Sequence, residues 1–118
     1  MVRDHRDLVV WKTALKLVIE AYALATRFPP HERYGLSSQL QRAVVSVPAN
    51  IAEGNGRLHR GEYVHHLSIA RGSLMELATH IEVALCLNYL REDEVTPCRE
   101  LIDHTGRMLS RMISSLTR

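Results

Sequence analysis

The stretch Arg60-Gly61-Glu62-Tyr63-Val64-His65-His66-Leu67-Ser68-Ile69-Ala70-Arg71-Gly72-Ser73-Leu74-Met75-Glu76-Leu77-Ala78-Thr79-His80-Ile81-Glu82-Val83-Ala84-Leu85-Cys86-Leu87-Asn88 decides the fold class. Leu67, Leu74, Ile81 and Asn88 recur every seven residues, and so do Tyr63, Ala70, Leu77 and Ala84. Two interleaved rows of that period lay one continuous apolar seam along a helix, where a strand would need strict alternation. The spacing predicts a helix over 60–89, closed by Asn88-Tyr89-Leu90-Arg91.

The same period continues to either side. Leu8, Trp11, Leu15, Val18, Tyr22 and Ala25 mark the main face of a first helix over 8–27, with Asp7 at its N-cap and Phe28-Pro29-Pro30 ending it. Leu36, Leu40, Val44, Val47 and Ile51 mark a second over 33–56, closed by Gly54-Asn55-Gly56. Its apolar phase runs across Pro48, which reads as a kink and not as a break. Cys98, Ile102, Thr105, Leu109, Met112 and Leu116 mark a fourth over 93–117. Glu92, Asp93 and Glu94 suit its positive N-terminal end, although Pro97 would fit best in a first turn capped by Thr96. Four helices joined by short connections imply an all-α, antiparallel up-down-up-down four-helix bundle in a single domain, 1–118.

Composition narrows the function. With 118 residues the chain has the size of one domain that buries roughly two thirds of its unfolded surface, too small for a multidomain enzyme. Aromatics make up 5%, too few for the stacking platforms of single-strand binders. Lys plus Arg is 15 against 13 Asp plus Glu, so the net charge of +2 excludes a polybasic tail. Arginine supplies 13 of those 15 cations, the residue better suited to bidentate phosphate contacts. No secretory signal or membrane-spanning run is read, which points to a reducing cytoplasm with Cys86 and Cys98 as free thiols. Cys86, inside a strongly apolar run, reads as core.

Apolar residues exceed what one bundle needs. Helix three has a second set in Ile69, Val83, Cys86, Leu87 and Leu90, and helix one adds Val9, Val10, Leu17, Ile19 and Leu24. A bundle helix usually buries one stripe, so such width implies packing against another chain, or else single apolar residues left on the surface.

Little points to catalysis. Glu62 and His65 form one Glu-x-x-His pair, where a carboxylate-bridged di-iron bundle needs two such pairs and further glutamates. His65 and His66 point about 100° apart on a helix and do not chelate together. Glu76 with His80, and Glu100 with His104, share faces as ordinary surface pairs do. No nucleophile elbow, dinucleotide loop or phosphate-loop lysine is present. No metal or cofactor is expected.

Gln39, Arg42, Ser46, Asn50, Glu53 and Arg57 instead form a polar line along almost the whole of helix two, with Arg71, Ser73 and Glu76 of helix three as possible partners. Two readings stand side by side. One is a polar seam that fixes helix register, for example Arg42 or Arg57 paired with Glu53 or Glu76. The other is a recognition strip for phosphate or a partner chain. Arg57 and Arg60, with His59, cluster between helices two and three, and Arg107, Arg111 and Arg118 lie along helix four; of these, Arg57, Arg60, Arg107 and Arg111 are the candidate phosphate contacts. An oligomer would repeat such patches into a polyvalent basic surface.

The order of motifs resembles a known family. Asp7-Leu8-Val9-Val10-Trp11-Lys12-Thr13-Ala14 is similar to its opening signature, and Phe28-Pro29, Glu32-Arg33-Tyr34-Gly35-Leu36 and Gln39-Leu40-Gln41-Arg42-Ala43 continue the match. Ser46-Val47-Pro48-Ala49-Asn50-Ile51-Ala52-Glu53-Gly54, then Gly56-Arg57, resembles the central motif, and Ile69-Ala70-Arg71-Gly72-Ser73-Leu74-Met75-Glu76-Leu77 the third-helix motif. These resemble the four-helix-bundle proteins encoded in intervening sequences of bacterial 23S rRNA genes, over about residues 7–117. The resemblance implies a left-handed bundle assembling as a ring-like homopentamer without enzymatic activity. It also implies kinship with the accessory variability determinant of diversity-generating retroelements, a basic pentameric barrel that binds a reverse transcriptase and nucleic acid. The family's motif positions fall on Arg42, Ser46, Asn50, Glu53, Gly54, Arg57, Gly72, Ser73 and Glu76. Gly72, a mid-helix glycine costing about 1 kcal/mol relative to alanine, suggests close approach of another helix.

The expected function is therefore binding of structured RNA, or of DNA, by a non-enzymatic homo-oligomer through repeated arginine patches. A protein-interaction scaffold is the alternative, a metal-dependent enzyme the minor one, and no membrane partner is expected.

Overall fold

The computed structural model describes residues 4–118. Four helices, and no strand among the described residues, fit a four-helix bundle: α1 (Val9–Ala25), α2 (Leu36–Asn55), α3 (Arg60–Cys86) and α4 (Glu92–Leu116). Short 3-10 turns, His5–Asp7 and Pro30–Glu32, precede α1 and α2. All four helices contribute to one hydrophobic core, centred on Leu17, Leu40, Ile51, Leu74, Leu77 and Leu109.

The seven-residue rows of α3 hold, with Leu67, Ala70, Leu74, Leu77, Ile81 and Ala84 buried. Asn88 does not belong to the seam. It takes φ 62 just past the helix, where its N–H donates to the Leu85 carbonyl (3.0 Å) and that of Tyr89 to the Ala84 carbonyl (2.9 Å). This left-handed cap ends α3 three residues short of the predicted 89. Cys86 lies in that last turn and is exposed, while Cys98 is the buried thiol, its pKa pushed up to about 12 by desolvation.

The expected face of α1 is wrong. Val10, Ala14, Leu17, Ala21, Leu24 and Ala25 are buried, whereas Leu15 and Tyr22 are exposed. The buried side is the one with alanines, which let neighbouring helices come close, and not the one with the larger side chains. Val10, Leu17, Leu24 and Leu90 are thus core, while Val9, Ile19, Ile69, Val83 and Leu87 lie on the surface.

Helix starts also differ from expectation. Asp7 caps nothing: Asp4 accepts from the Arg6 N–H at 2.9 Å and winds the first 3-10 turn, so α1 starts beyond Leu8. The span from 33 to 35 is turn, and α2 begins at Leu36, whose N–H is satisfied by the Glu32 carboxylate at 3.0 Å. α2 runs on through Pro48. Thr96 is not a cap. α4 begins at Glu92, where the Glu94 carboxylate accepts from the Arg91 N–H at 2.8 Å, and Pro97 sits inside the helix.

The molecule is 43 Å long. At one end Arg27 pairs with Glu94, and Tyr89 donates to Glu32 at 2.7 Å, tying the α1–α2 connection to the α3–α4 connection. At the other end Leu8 and Val9 at the start of α1, Tyr63 near the start of α3, and Arg111, Met112 and Leu116 near the end of α4 surround a cleft of about 440 Å³.

Candidate functional site

The polar line of α2 divides into two parts. Its middle is a seam against α3. Ser46 Oγ and Ser73 Oγ share a hydrogen bond of 2.8 Å. Asn50 Nδ2 donates to the Ser46 carbonyl (2.9 Å) and Ser46 Oγ (3.0 Å), which leaves Asn50 Oδ1 to accept from His66 Nδ1 at 3.0 Å. Because the amide oxygen can only accept, Nδ1 is the donor in this bond, and Nε2 lies 3.9 Å from the Glu53 carboxylate. Arg57 donates to the same carboxylate oxygen at 2.7 Å, and Glu62 lies 3.8 Å from its other nitrogen. Gly54 makes this closeness possible, since a Cβ there would fall 2.8 Å from the His66 Cβ.

The ends of the line behave differently. Gln39 and Arg42 are exposed, and Arg42 borders a surface hollow with Tyr22, Gln41 and Val45. Glu76 does not meet Arg42 or Arg57; it bonds His80 of its own helix at 3.3 Å. Nothing lies within 4 Å of a Cβ added at Gly72, so no helix of this chain approaches it closely.

His66 is the member of the seam that the α2 pattern alone misses. The missing signal lies on α3, where His66, Ser73 and His80 recur every seven residues as a polar row beside the two apolar rows. Ser73 and His80 are buried and the His66 side chain is 14% exposed. Buried polar groups need partners, so such a row calls for a complementary line on the facing helix. No buried side-chain nitrogen or oxygen among the described residues lacks a hydrogen-bond partner.

The candidate phosphate contacts do not form one patch. Arg57 is held by Glu53, while Arg60 is exposed in the first turn of α3. Arg107 and Arg111 line a groove between α4 and α3, together with Arg71. Arg60, Arg71, Arg107 and Arg111 form no ion pair among the described residues; Arg71 donates weakly to Ser110 Oγ at 3.3 Å. The described residues contain no group of three or more His, Cys, Asp or Glu side chains placed to hold a metal ion. No helix among them is long and apolar enough to cross a membrane.

The family model described as 23S rRNA-intervening sequence protein matches residues 6–111. The chain belongs to this family. A solved relative in fold is a protein of unknown function from the S23 ribosomal protein family of Bacteroides thetaiotaomicron VPI-5482. It is 20% identical, the match covers 89% of this chain and 98% of that one, and the TM-score is 0.82. No curated protein matches. For this member of the 23S rRNA-intervening sequence family, then, kinship accounts for the helical architecture.

Proposed function

We propose that this chain is a non-enzymatic nucleic-acid-binding protein that takes structured RNA on repeated arginine patches of a homopentameric ring. The observation that carries this reading is a group of exposed arginines without acidic partners among the described residues on α3 and α4, Arg60, Arg71, Arg107 and Arg111; Arg33, Arg42 and Arg118 are unpaired as well but lie apart from the groove that Arg71, Arg107 and Arg111 share. A guanidinium already paired with a carboxylate gives up that pairing to bind phosphate; an unpaired one releases only water and counterions.

Several features support the assembly. Contacts pair Ser46 with Ser73 and Asn50 with His66, then Arg71 with Ser110 and Glu82 with Arg99, so residue numbers rise on one helix as they fall on its neighbour. That suits antiparallel, up-down-up-down order, for which the family resemblance suggests left-handedness. Exposed Val9, Leu15, Ile19 and Tyr22 on α1, and Ile69, Met75, Val83 and Leu87 on α3, offer apolar surface for contacts between copies. With a net charge of +2 per chain, a ring would concentrate cations that one chain lacks. The two free thiols suit a reducing compartment. The kinship with the retroelement accessory determinant is part of this reading.

Fluorescence anisotropy of a labelled structured RNA, titrated with salt and competed with duplex DNA, tests it. Micromolar or tighter binding that weakens steeply with salt is expected. Absence of binding at low salt would overturn it and shift attention to a protein-interaction scaffold. Light scattering after gel filtration measures the ring separately.

A further inference from the structure

The groove between α3 and α4 has a shape and chemistry that phosphate binding alone does not use. It is an open surface groove of about 570 Å³. Cations stand on both walls, Arg71 on α3 and Arg107 and Arg111 on α4, while Met75 and Ile102 contribute apolar surface between them. Ser110 Oγ, 3.3 Å from the Arg71 guanidinium, holds it toward the α4 wall.

Gly106 is the second, independent observation. It lies inside α4 and lines the groove. A mid-helix glycine is disfavoured by about 1 kcal/mol against alanine and is usually explained by tight packing. Packing does not explain this one, because a Cβ there would meet only Leu74 Cδ1 at an ordinary 3.8 Å. What the missing side chain provides is room in the groove.

We propose that this groove receives an unpaired nucleotide of the bound RNA. Arg107 and Arg111 hold the phosphate, and the base lies against Met75 and Ile102 with the planar Arg71 guanidinium on its face. Such stacking is how unpaired bases are commonly held, and guanidinium planes serve it as aromatic rings do. Asp103, the groove's one acidic side chain, repels phosphate locally and can accept from a base amino group. A regular duplex offers the same phosphates with its bases stacked inside, so it reaches the arginines and leaves the groove unfilled. The inference rests on the RNA-binding reading above.

The test measures anisotropy with two RNAs of equal charge, a hairpin with an unpaired loop and a blunt duplex. The hairpin is expected to bind about tenfold more tightly. Gly106→Leu, which fills the groove without changing charge, is expected to bring the hairpin down to the duplex level and leave the duplex affinity unaltered. Met75→Gln, at an exposed position and without a change of charge, removes the apolar wall and is expected to bring the hairpin toward the duplex level; it serves if the leucine disturbs folding by circular dichroism. Equal affinity for the two RNAs, or a preference that survives both variants, overturns the groove proposal while RNA binding stands. Failure of the wild-type protein to bind either RNA overturns the RNA-binding reading itself.

Discussion

The two ends of the molecule differ in how many of their arginines are paired. Where α1 passes to α2 and α3 to α4, Arg27 pairs with Glu94, Arg91 with Asp93, and Arg99 bridges Glu82 and Glu92; Arg33, which lies over Tyr34, is the exception, with no carboxylate partner among the described residues. Toward the α2–α3 connection and the second half of α4, Arg57 is paired with Glu53 and Arg6 with Asp4, but Arg60, Arg107 and Arg111 have no carboxylate partner among the described residues. An overall charge of +2 hides this asymmetry. Whether a cation is available to a polyanion depends on its neighbours more than on the total, so the same residue type is mostly held by carboxylates at one end and mostly left unpaired at the other.

Charge reversal is the strongest way to break that comparison. Arg107→Glu with Arg111→Glu is expected to lower RNA affinity at least about 100-fold at low salt and to reduce the log–log salt slope by about 2, as two phosphate contacts become repulsive. Arg91→Glu with Arg99→Glu at the other end is expected to change affinity only a few-fold and to lower thermal stability instead, because Asp93, Glu82 and Glu92 lose their partners. Anisotropy and thermal melts on both variants measure the two effects side by side. Equal losses of affinity would mean that only net charge matters.

The α2–α3 seam lies beside the unpaired end and sets where Arg57 stands. Asn50→Leu is expected to cost about 1–3 kcal/mol, since it removes three hydrogen bonds and leaves the half-buried His66 Nδ1 without its acceptor. Urea unfolding measures it. Arg57→Ala, by contrast, breaks an exposed pair of i,i+4 spacing and is expected to cost no more than about 0.5 kcal/mol. A large Arg57 effect and a small Asn50 effect would reverse the assignment of seam and surface along the α2 line.

How much of this was legible depended on what each pattern measured. Six of the eight positions in the seven-residue rows of α3 are buried, because the regular spacing keeps them on one side of the helix even with further apolar residues beside it; Asn88 lies past the helix end and Tyr63 is half-buried. α1 misled because it is apolar almost all round: Leu15, Ile19 and Tyr22 are as apolar as Val10, Leu17 and Leu24, and only the small Ala14 and Ala21 mark the packed side. Cys86 misled because an apolar run does not reveal where its helix ends, and a left-handed asparagine stops α3 at that residue. The α2 line was visible as spacing, but its division into a bonded middle and exposed ends required the facing His66 and Ser73. Arg71 joined Arg107 and Arg111 only through the pairing of α3 with α4, which no spacing within one helix encodes.

Acid should release the tie between the two connections at the paired end. Glu32 accepts from the Leu36 N–H and from the Tyr89 hydroxyl, and these bonds hold its carboxyl below the usual glutamate range, the backbone bond most of all; the same contact raises the Tyr89 pKa. A depressed folded-state pKa gives stability that is complete above the ordinary glutamate value of about 4.3 and is lost as pH falls through the folded value. Asp93, lowered chiefly by its bond to Arg91, acts in the same direction. The melting temperature is therefore expected to fall below about pH 4.3, and Glu32→Gln is expected to flatten that fall and to lower the neutral-pH melting temperature by a few degrees. An unchanged acid limb in Glu32→Gln would show that the tie between the two connections is not what acid releases.

A comparably small effect concerns a position that belongs to neither end. Gly72 sits in the middle of α3 with open space where a Cβ would be, so Gly72→Ala should stabilise the separate chain by about 0.5–1 kcal/mol through the ordinary difference in helix propensity. Ile69 and Glu76, on the same outward face, are exposed as well. If another copy lays its backbone against this face, the added methyl group weakens assembly while it raises the stability of the chain. Opposite shifts in dissociation constant and melting temperature would therefore identify the surface around Gly72 as a contact between copies. If both are strengthened, or if assembly does not change, the copies meet elsewhere, and the wide apolar side of α1, from Val9 to Tyr22, becomes the surface to mutate next.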